Sequence, residues 1–424
     1  MMDIAELQGR ADAVESLLDG KFANDWIGIA YNTSTRTMHR LGRLAGYTTG
    51  ANPGDGLLGP VFQRIQRYTV QSDGTIGGAI SKVDKRHYED GGVVPLDGSD
   101  GDILVKFDES YYLEQAYGNW LIWGVSDQAM FDCGFELAPP FRYDTAFFNG
   151  AYEGSLFDGK LRSIACDPGD GTSPVWPVTT RSGVWGSGGT LATIGQMEAW
   201  AKARGPNWGL LHFWDLWWRI LLFRIRFASF NSQVMVGNGR SSLTGGDWIN
   251  DQYIGRCGLG DSLTGMFGSI SNGGSSGFLT DVNVIDGVEN FGGNVWGGFI
   301  GMLMNNLQVY TKDLPPYPQD SVSTYTALTD IDGNGVVLPQ GEGYLGEPLA
   351  GKAFMFDSLH TGASDVPVGD YVWSNNTGIR GGFSGAYSHG GSRVGVSALF
   401  LPNAPSSAAS YLGGRARFRI PRGA

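Results

Sequence analysis

The segment from 371 to 393 concentrates side chains that can recognise a ligand, and glycines and serines separate them along the chain. Tyrosine and tryptophan offer contact area at a low cost in conformational entropy, whereas asparagine, serine and arginine supply adaptable hydrogen bonds, as in antibody binding surfaces. This composition predicts a binding surface, and a well-packed loop is the alternative for each residue. The candidate ligand-binding residues are Trp373, Asn375, Asn376, Arg380, Ser384, Tyr387, His389 and Arg393.

The remaining candidates for chemistry do not form a pattern that predicts catalysis. The five histidines are scattered, and none stands at the spacing of a metal-binding pair. Carboxylates are plentiful, but nothing in their spacing selects the pair that glycoside hydrolysis needs. We therefore predict no catalytic residue, no metal-ligating residue and no cofactor, and we expect that the chain is not an enzyme.

One segment resembles a calcium-binding loop. Asp330, Asp332, Asn334 and Gly335 occupy the first, third, fifth and sixth places of an EF-hand loop. Gly341 stands at the twelfth place, where a bidentate glutamate belongs, and neither flank has a helical pattern. The segment is predicted to be a turn, with a structural calcium ion as the alternative.

Composition excludes several classes of protein. The net charge of −12 argues against a nucleic-acid partner, because phosphate binding needs a positive surface. Three distant cysteines, Cys133, Cys166 and Cys257, suggest neither a zinc site nor a disulfide framework, and we expect reduced thiols made in a cytoplasm. The start of the chain lacks the pattern of a secretory signal, and asparagines and glycines interrupt the longest uncharged run, 290–311, so no membrane insertion is expected.

The N-terminal part of the sequence divides into a helix and a β-rich domain. Apolar residues in 1–20 recur at intervals of three and four, which predicts a helix for oligomerisation or attachment, either as a short coiled coil or as a simple packed helix. Residues 21–128 are predicted to form a small β domain. Its predicted strands are a pair within 26–42, followed by 75–83, 102–116 and 119–127.

Residues 129–424 are predicted to form one ligand-binding domain with long irregular loops. A capping box of Thr193 and Gln196 begins a helix over 190–204, and a second helix is predicted over 211–222, followed by a strand at FRIRFAS. At the C-terminal end, Arg415, Arg417 and Arg419 alternate with apolar residues. This period of two predicts a half-buried strand whose arginine face is a solvated edge.

Three segments resemble motifs of the formylglycine-generating-enzyme family, which has a C-type-lectin-like fold. They are GGNVW at 292–296, IRGGFSG at 379–385 and GGRARFR at 413–419, in the order in which the family has them. The segments 151–163 and 190–240 resemble phage tail-fibre and tail-tip proteins with this fold. Some of those are variable targets of diversity-generating retroelements, as the phage major tropism determinant is.

The sequence departs from the enzyme branch of that family. No cysteine follows Cys257, whereas the enzymes need a cysteine pair near their C-terminal motifs, and Gly297 and Gly298 replace the expected Glu-Trp. The resemblance therefore implies the fold without the oxidase chemistry. It predicts a β-rich α+β chain with an N-terminal helical segment, a small β domain and a C-type-lectin-like domain.

The function that the resemblance implies is receptor binding in a phage tail. The expected partners are a glycan or protein of the host cell surface, other tail proteins and further copies of the chain, as a homotrimer. The expected location is the virion tail, after synthesis in the host cytoplasm. The alternatives are a tail-associated enzyme, either a glycan hydrolase or a formylglycine-generating-like oxidase, and a purely structural tail component.

Overall fold

The computed structural model describes residues 25–172, 175, 177, 192–241, 254–270, 281–349, 355–362, 367–385, 387–388, 390–409 and 411–423. The helix predicted for 1–20 and the candidate residue His389 lie outside the described residues. Strands far outnumber helices, so the predicted β-rich α+β class is confirmed. Across the described ranges, no helix is long and apolar enough to cross a membrane.

The regular elements are short and follow one another closely along the chain. The helices are α1 (Asp55–Leu58), α2 (Pro60–Gln63), α3 (Ile194–Lys202), α4 (Phe213–Phe227) and α5 (Ser232–Val236). The strands are β1 (Ile27–Asn32), β2 (Thr37–Gly42), β3 (Gln66–Val70), β4 (Ile76–Ile80), β5 (Asp102–Asp108), β6 (Tyr111–Tyr117), β7 (Trp120–Ser126), β8 (Glu136–Leu137), β9 (Asp144–Gly150), β10 (Ser155–Phe157), β11 (Lys160–Arg162), β12 (Trp208–Leu210), β13 (Gly268–Ile270), β14 (Val282–Ile285), β15 (Val288–Glu289), β16 (Trp296–Asn305), β17 (Gln308–Thr311), β18 (Thr326–Ala327), β19 (Gly341–Leu345), β20 (Leu359–His360), β21 (Tyr371–Ser374), β22 (Ile379–Ser384), β23 (Leu399–Leu401), β24 (Leu412–Gly414) and β25 (Ala416–Pro421).

Two sheets contain the strands predicted in the N-terminal half, although the single strand predicted over 102–116 is two strands, β5 and β6, in different sheets. Strands β2, β1, β7, β6 and β8 form an antiparallel sheet in that order. A second sheet has the order β12-β25-β9-β5-β3-β4 and so joins strands from both sides of residue 128. A cut at that residue would separate the neighbouring strands β5 and β9.

The largest sheet has nine strands and carries three of the eight predicted ligand-binding residues, Trp373, Arg380 and Ser384. Its order is β18-β17-β16-β22-β23-β21-β19-β20, and β24 pairs in parallel with β16. The strands β16, β22 and β24 contain segments of the three family-like motifs, and they are neighbours in this sheet.

The two predicted helices are present, but the second is longer than expected. In α3, Thr193 and Gln196 form the predicted capping box. Helix α4 continues through FRIRF to Phe227, so the prediction of a strand there is wrong. All fifteen of its residues are buried. Its charged residues, Asp215, Arg219, Arg224 and Arg226, are buried like the apolar ones, so no face of α4 is left to solvent.

Two of the three alternating arginines, Arg415 and Arg417, are interior residues, so the prediction of a solvated edge is wrong for them, whereas Arg419 is half-buried. Strand β25 lies between β12 and β9, and Arg415 and Arg417 are buried. The Arg417 guanidinium pairs with Asp215 at 2.6 Å and with Asp144 at 3.2 Å. These buried carboxylates neutralise the Arg417 guanidinium, which the sequence pattern predicted to be exposed to solvent.

Candidate functional site

Strand register places a row of large side chains on one face of the nine-stranded sheet. Glu342 of β19 pairs with Trp373 of β21, which pairs with Phe400 of β23, which in turn pairs with Phe383 of β22. Residues directly opposite one another on paired strands point to the same face. Tyr371 joins this face because it lies two positions before Trp373 in the same strand.

We define the aromatic surface as six rings on this face and in the adjoining loops. They are Tyr344, Tyr371, Trp373, Tyr387, Phe400 and Tyr411. The rings contact one another at centroid distances from 4.4 Å, between Tyr371 and Trp373, to 6.2 Å, between Phe400 and Tyr411. Such distances are those of favourable aromatic pairs, so the rings support one another.

A buried tryptophan lies beneath the aromatic surface and supports it. The Trp296 ring is fully buried and stands 5.3 Å from the Phe400 ring and 5.4 Å from the Trp373 ring. Trp373, Tyr387, Phe400 and Tyr411 above it are half-buried, so part of each ring meets solvent. A rigid support of this kind reduces the conformational entropy that a ligand would otherwise remove on binding.

Polar groups border the aromatic surface. The Arg393 guanidinium lies 4.9 Å from the centre of the Tyr371 ring, and the Tyr344 hydroxyl is 2.9 Å from the Ser392 hydroxyl. Glu342 and Arg393 are exposed. Burial, followed by the nearby Glu342 carboxylate, raises the pKa of Tyr371, so its phenol is a neutral hydrogen-bond donor at neutral pH.

Three of the predicted ligand-binding residues meet at this surface. Trp373 and Tyr387 both contact Trp296, and Arg393 lies over Tyr371. Spacing along the chain did not show which other rings would join them. Alternation in the sequence Tyr-Val-Trp at 371–373 could have added Tyr371, but nothing in the sequence links Tyr344 or Phe400 to it.

The two predicted asparagines lie in the turn that follows β21. The Asn375 side-chain oxygen accepts a hydrogen bond from the Thr377 amide at 3.0 Å, so this oxygen shapes the turn. The exposed Asn376 donates to the Gln340 side-chain oxygen at 2.8 Å. Asn376 is therefore the better placed of the two to meet a ligand at the edge of the sheet.

The predicted residues Arg380 and Ser384 lie on the opposite face of the sheet from Phe383. Both stand an odd number of positions from Phe383 in β22, and successive strand residues alternate between faces. Ser384 is buried and lines a small internal cavity. The structure therefore separates these two residues from Trp373, Tyr387 and Arg393.

The calcium-like segment forms the predicted turn. The Asp330 carboxylate accepts hydrogen bonds from the backbone amides of Asp332 at 3.0 Å and Asn334 at 2.8 Å. Within the described part of the chain, no group of three or more His, Cys, Asp or Glu side chains could hold a metal ion.

Comparisons with known proteins place no further constraint on this site. No family model matches the chain, and no curated protein matches it. The site is defined by its geometry: rings that offer flat apolar area, with a carboxylate, a guanidinium and an amide beside them.

Proposed function

We propose that this chain is a receptor-binding protein of a phage tail and that its aromatic surface binds a glycan of the host cell surface. The observation that carries the proposal is the set of half-buried rings held on one sheet face by the buried Trp296. In this proposal the chain acts without catalysis, associates as a homotrimer and contacts other tail proteins in the virion.

The chemistry of sugars favours a glycan as the ligand. A pyranose ring has an apolar face of C–H groups, which can lie flat on an aromatic ring, and a rim of hydroxyls that donate and accept hydrogen bonds. The rings of Trp373 and Phe400 offer the flat area. Glu342, Asn376 and Arg393 offer an acceptor, an amide and a donor at the border, which suits a ring of hydroxyls.

The placement of the family-like motifs also supports the proposal. GGNVW ends in Trp296, which supports the aromatic surface, and IRGGFSG forms β22, the strand next to β23 with Phe400. Segments distant in the sequence thus build one sheet whose outer face bears the proposed site. This is the arrangement expected of a scaffold that displays binding residues.

The proposal is tested with a double variant, Trp373→Ala with Tyr387→Ala, in the full chain. We expect at least about a tenfold loss of affinity for host cells and for the purified host polysaccharide, because central aromatic anchors each contribute more than about 1 kcal/mol. The matched control is Tyr47→Ala, since Tyr47 is an exposed tyrosine outside the aromatic surface. This control should bind like the parent chain.

Four outcomes would overturn the proposal. Undiminished binding by the folded double variant would exclude the aromatic surface. Binding that survives periodate oxidation of the cell-surface glycans would indicate a protein receptor. Shortening of the polysaccharide during incubation would indicate an enzyme, and protection of Trp373 fluorescence from iodide in the assembled chain would indicate a structural subunit contact.

A further inference from the structure

A small polar cavity lies in the interior, apart from the aromatic surface. Its volume is about 10 Å³, which accommodates one species of the size of a water molecule. The polar side chains that line it are Glu153, Arg219, Asn290, Ser384 and Arg415. Each of the five is less than a tenth exposed.

Two guanidinium groups at this cavity have unused donors. Among the described residues, neither Nη1 nor Nη2 of Arg219 has a hydrogen-bond partner, and neither does Nη1 of Arg415. Nη2 of Arg415 donates to the backbone oxygens of Asn290, at 2.9 Å, and of Glu289. Arg219 packs its guanidinium 3.7 Å from the centre of the Phe291 ring. Charged donors that are buried without acceptors are costly, so an acceptor in the cavity would stabilise the fold.

The charges around the cavity favour an anion over a water molecule. Burial and the neighbouring Arg415 charge lower the pKa of Arg219 to about 9, which still leaves it charged at neutral pH. The two carboxylates whose charges act on Arg219 are paired with other arginines, since Asp215 pairs with Arg417 at 2.6 Å and Asp286 pairs with Arg226 at 2.7 Å. A water molecule could accept two hydrogen bonds, but it carries no charge and would not offset two like charges.

The carboxylate at the cavity offsets only part of this charge. Glu153 accepts hydrogen bonds from the side-chain amides of Asn290, at 3.2 Å, and Asn294. Burial raises the pKa of Glu153 to about 7, so a part of the population is neutral at neutral pH. Among the side chains that line the cavity, the two guanidinium groups leave a net positive charge in either protonation state of Glu153.

We propose that this cavity binds a single monatomic anion, chloride, between the guanidinium groups of Arg219 and Arg415. The volume selects against phosphate, sulfate and carboxylates, because each has several heavy atoms. The bound ion accepts hydrogen bonds from Nη1 and Nη2 of Arg219 and from Nη1 of Arg415. It acts as a structural ion that joins helix α4 to the segment between β24 and β25.

The first test is thermal unfolding of the full chain in sodium chloride and in sodium gluconate at equal ionic strength. Gluconate is too large for the cavity, so only chloride should raise the unfolding temperature. We expect a rise of about 2 to 4 °C when chloride reaches about a hundred times its dissociation constant. Equal unfolding temperatures in the two salts would overturn the proposal.

Two matched variants separate the cavity from general salt effects. Arg219→Met removes one guanidinium from the cavity and should abolish the difference between chloride and gluconate. Arg224→Met is the control, because Arg224 lies on the same helix, is equally buried and also has unpartnered nitrogens, but does not line the cavity. This control should keep the difference, and its loss in both variants would contradict the proposal.

A third measurement uses the parent chain and does not depend on whether Arg219→Met folds. Crystals of the parent chain grown in sodium bromide should show an anomalous peak in the cavity, between the two guanidinium groups. A site that holds only an ordered water, with no anomalous peak in bromide, would overturn the assignment.

Discussion

The two faces of the nine-stranded sheet use alternate residues of the same strands, yet they differ in what they contact. Val372 and Leu399 belong to the large core cluster that contains helix α4. Their neighbours in sequence, Trp373 and Phe400, pack on the opposite face around Trp296 and remain partly open to solvent. One face is therefore a fully covered core, and the other is a supported surface.

Aromatic content alone does not distinguish the two roles. Helix α4 contains Trp214, Trp217 and Trp218, which are buried like the aliphatic residues around them. Trp373 is of the same residue type, but its packing leaves part of the ring accessible. The covered face should therefore govern stability, and the open face should govern binding.

The largest effect is expected at the adjacent residues Leu399 and Phe400, which lie on opposite faces of the sheet. Leu399→Ala should lower the free energy of unfolding by about 2 to 5 kcal/mol, because it leaves a cavity in a fully buried site. Its affinity for the glycan should be unchanged while it is folded. Phe400→Ala should have the reverse profile, with a smaller loss of stability and weaker binding. Urea denaturation and glycan-binding titrations check both, and equal profiles would contradict the assignment of stability to one face and binding to the other.

A second prediction concerns the pH dependence of the covered face. Asp370 is buried before β21, where it accepts hydrogen bonds from the Ser397 amide at 2.7 Å and the Ser232 hydroxyl at 3.2 Å. Burial raises its pKa from 3.8 to about 7, and the Ser397 amide and the Arg224 charge oppose this only in part. Between pH 4 and 7, Asp370 therefore keeps its proton in the native state and has lost it in the unfolded state.

It follows that the contribution of Asp370 to stability is fully present below pH 4 and is lost as the pH rises towards 7. Asp370→Asn imitates the protonated group, so the unfolding free energy of the parent chain minus that of the variant should fall with rising pH. Its limiting slope is about 1.4 kcal/mol per pH unit. Urea denaturation at several pH values measures the difference, and a flat profile from pH 4 to 7 would contradict the prediction.

The smallest effect is expected at the border of the open face. Asn376→Ala should change the free energy of unfolding by less than about 0.5 kcal/mol, because the side chain is exposed. Loss of one hydrogen bond to a sugar hydroxyl should weaken glycan binding by about two- to tenfold. Asn334→Ala, at an exposed asparagine in the turn 330–335, is the control and should bind normally. A variant at Asn376 that binds like this control would place the ligand farther from the edge.

Local signals in the sequence predicted local structure well. Alternation and a polar turn predicted the hairpin of β1 and β2, and the capping box of Thr193 and Gln196 predicted the start of α3. These features depend on residues a few positions apart, so a single sequence contains the information that specifies them. The prediction failed in FRIRF, where two arginines imitate the alternation of a strand, although burial on all sides allows a helix.

Contacts between distant segments could not be predicted in the same way. The period of two at Arg415, Arg417 and Arg419 identified a strand face, but it could not show that Asp144 and Asp215 lie opposite Arg417. Similarly, the sequence suggested Trp373, Tyr387 and Arg393 as binding residues without showing that Phe400 and Tyr344 complete their surface. The alternation of a strand shows which side chains share a face. The role of each side chain depends on which distant residues the fold places against that face.

The central position of β25 has a consequence for synthesis on the ribosome. Its Arg417 pairs with Asp144 of the neighbouring strand β9 across 273 positions of sequence. At about 5 to 20 residues per second, β25 is made on the order of 10 to 60 s after β9. During that interval β9 presents an open edge to other nascent chains, and Asp144 has no guanidinium partner from β25. The six-stranded sheet therefore closes only after β25 has been translated, and chaperones that shield strand edges should raise the yield of folded protein.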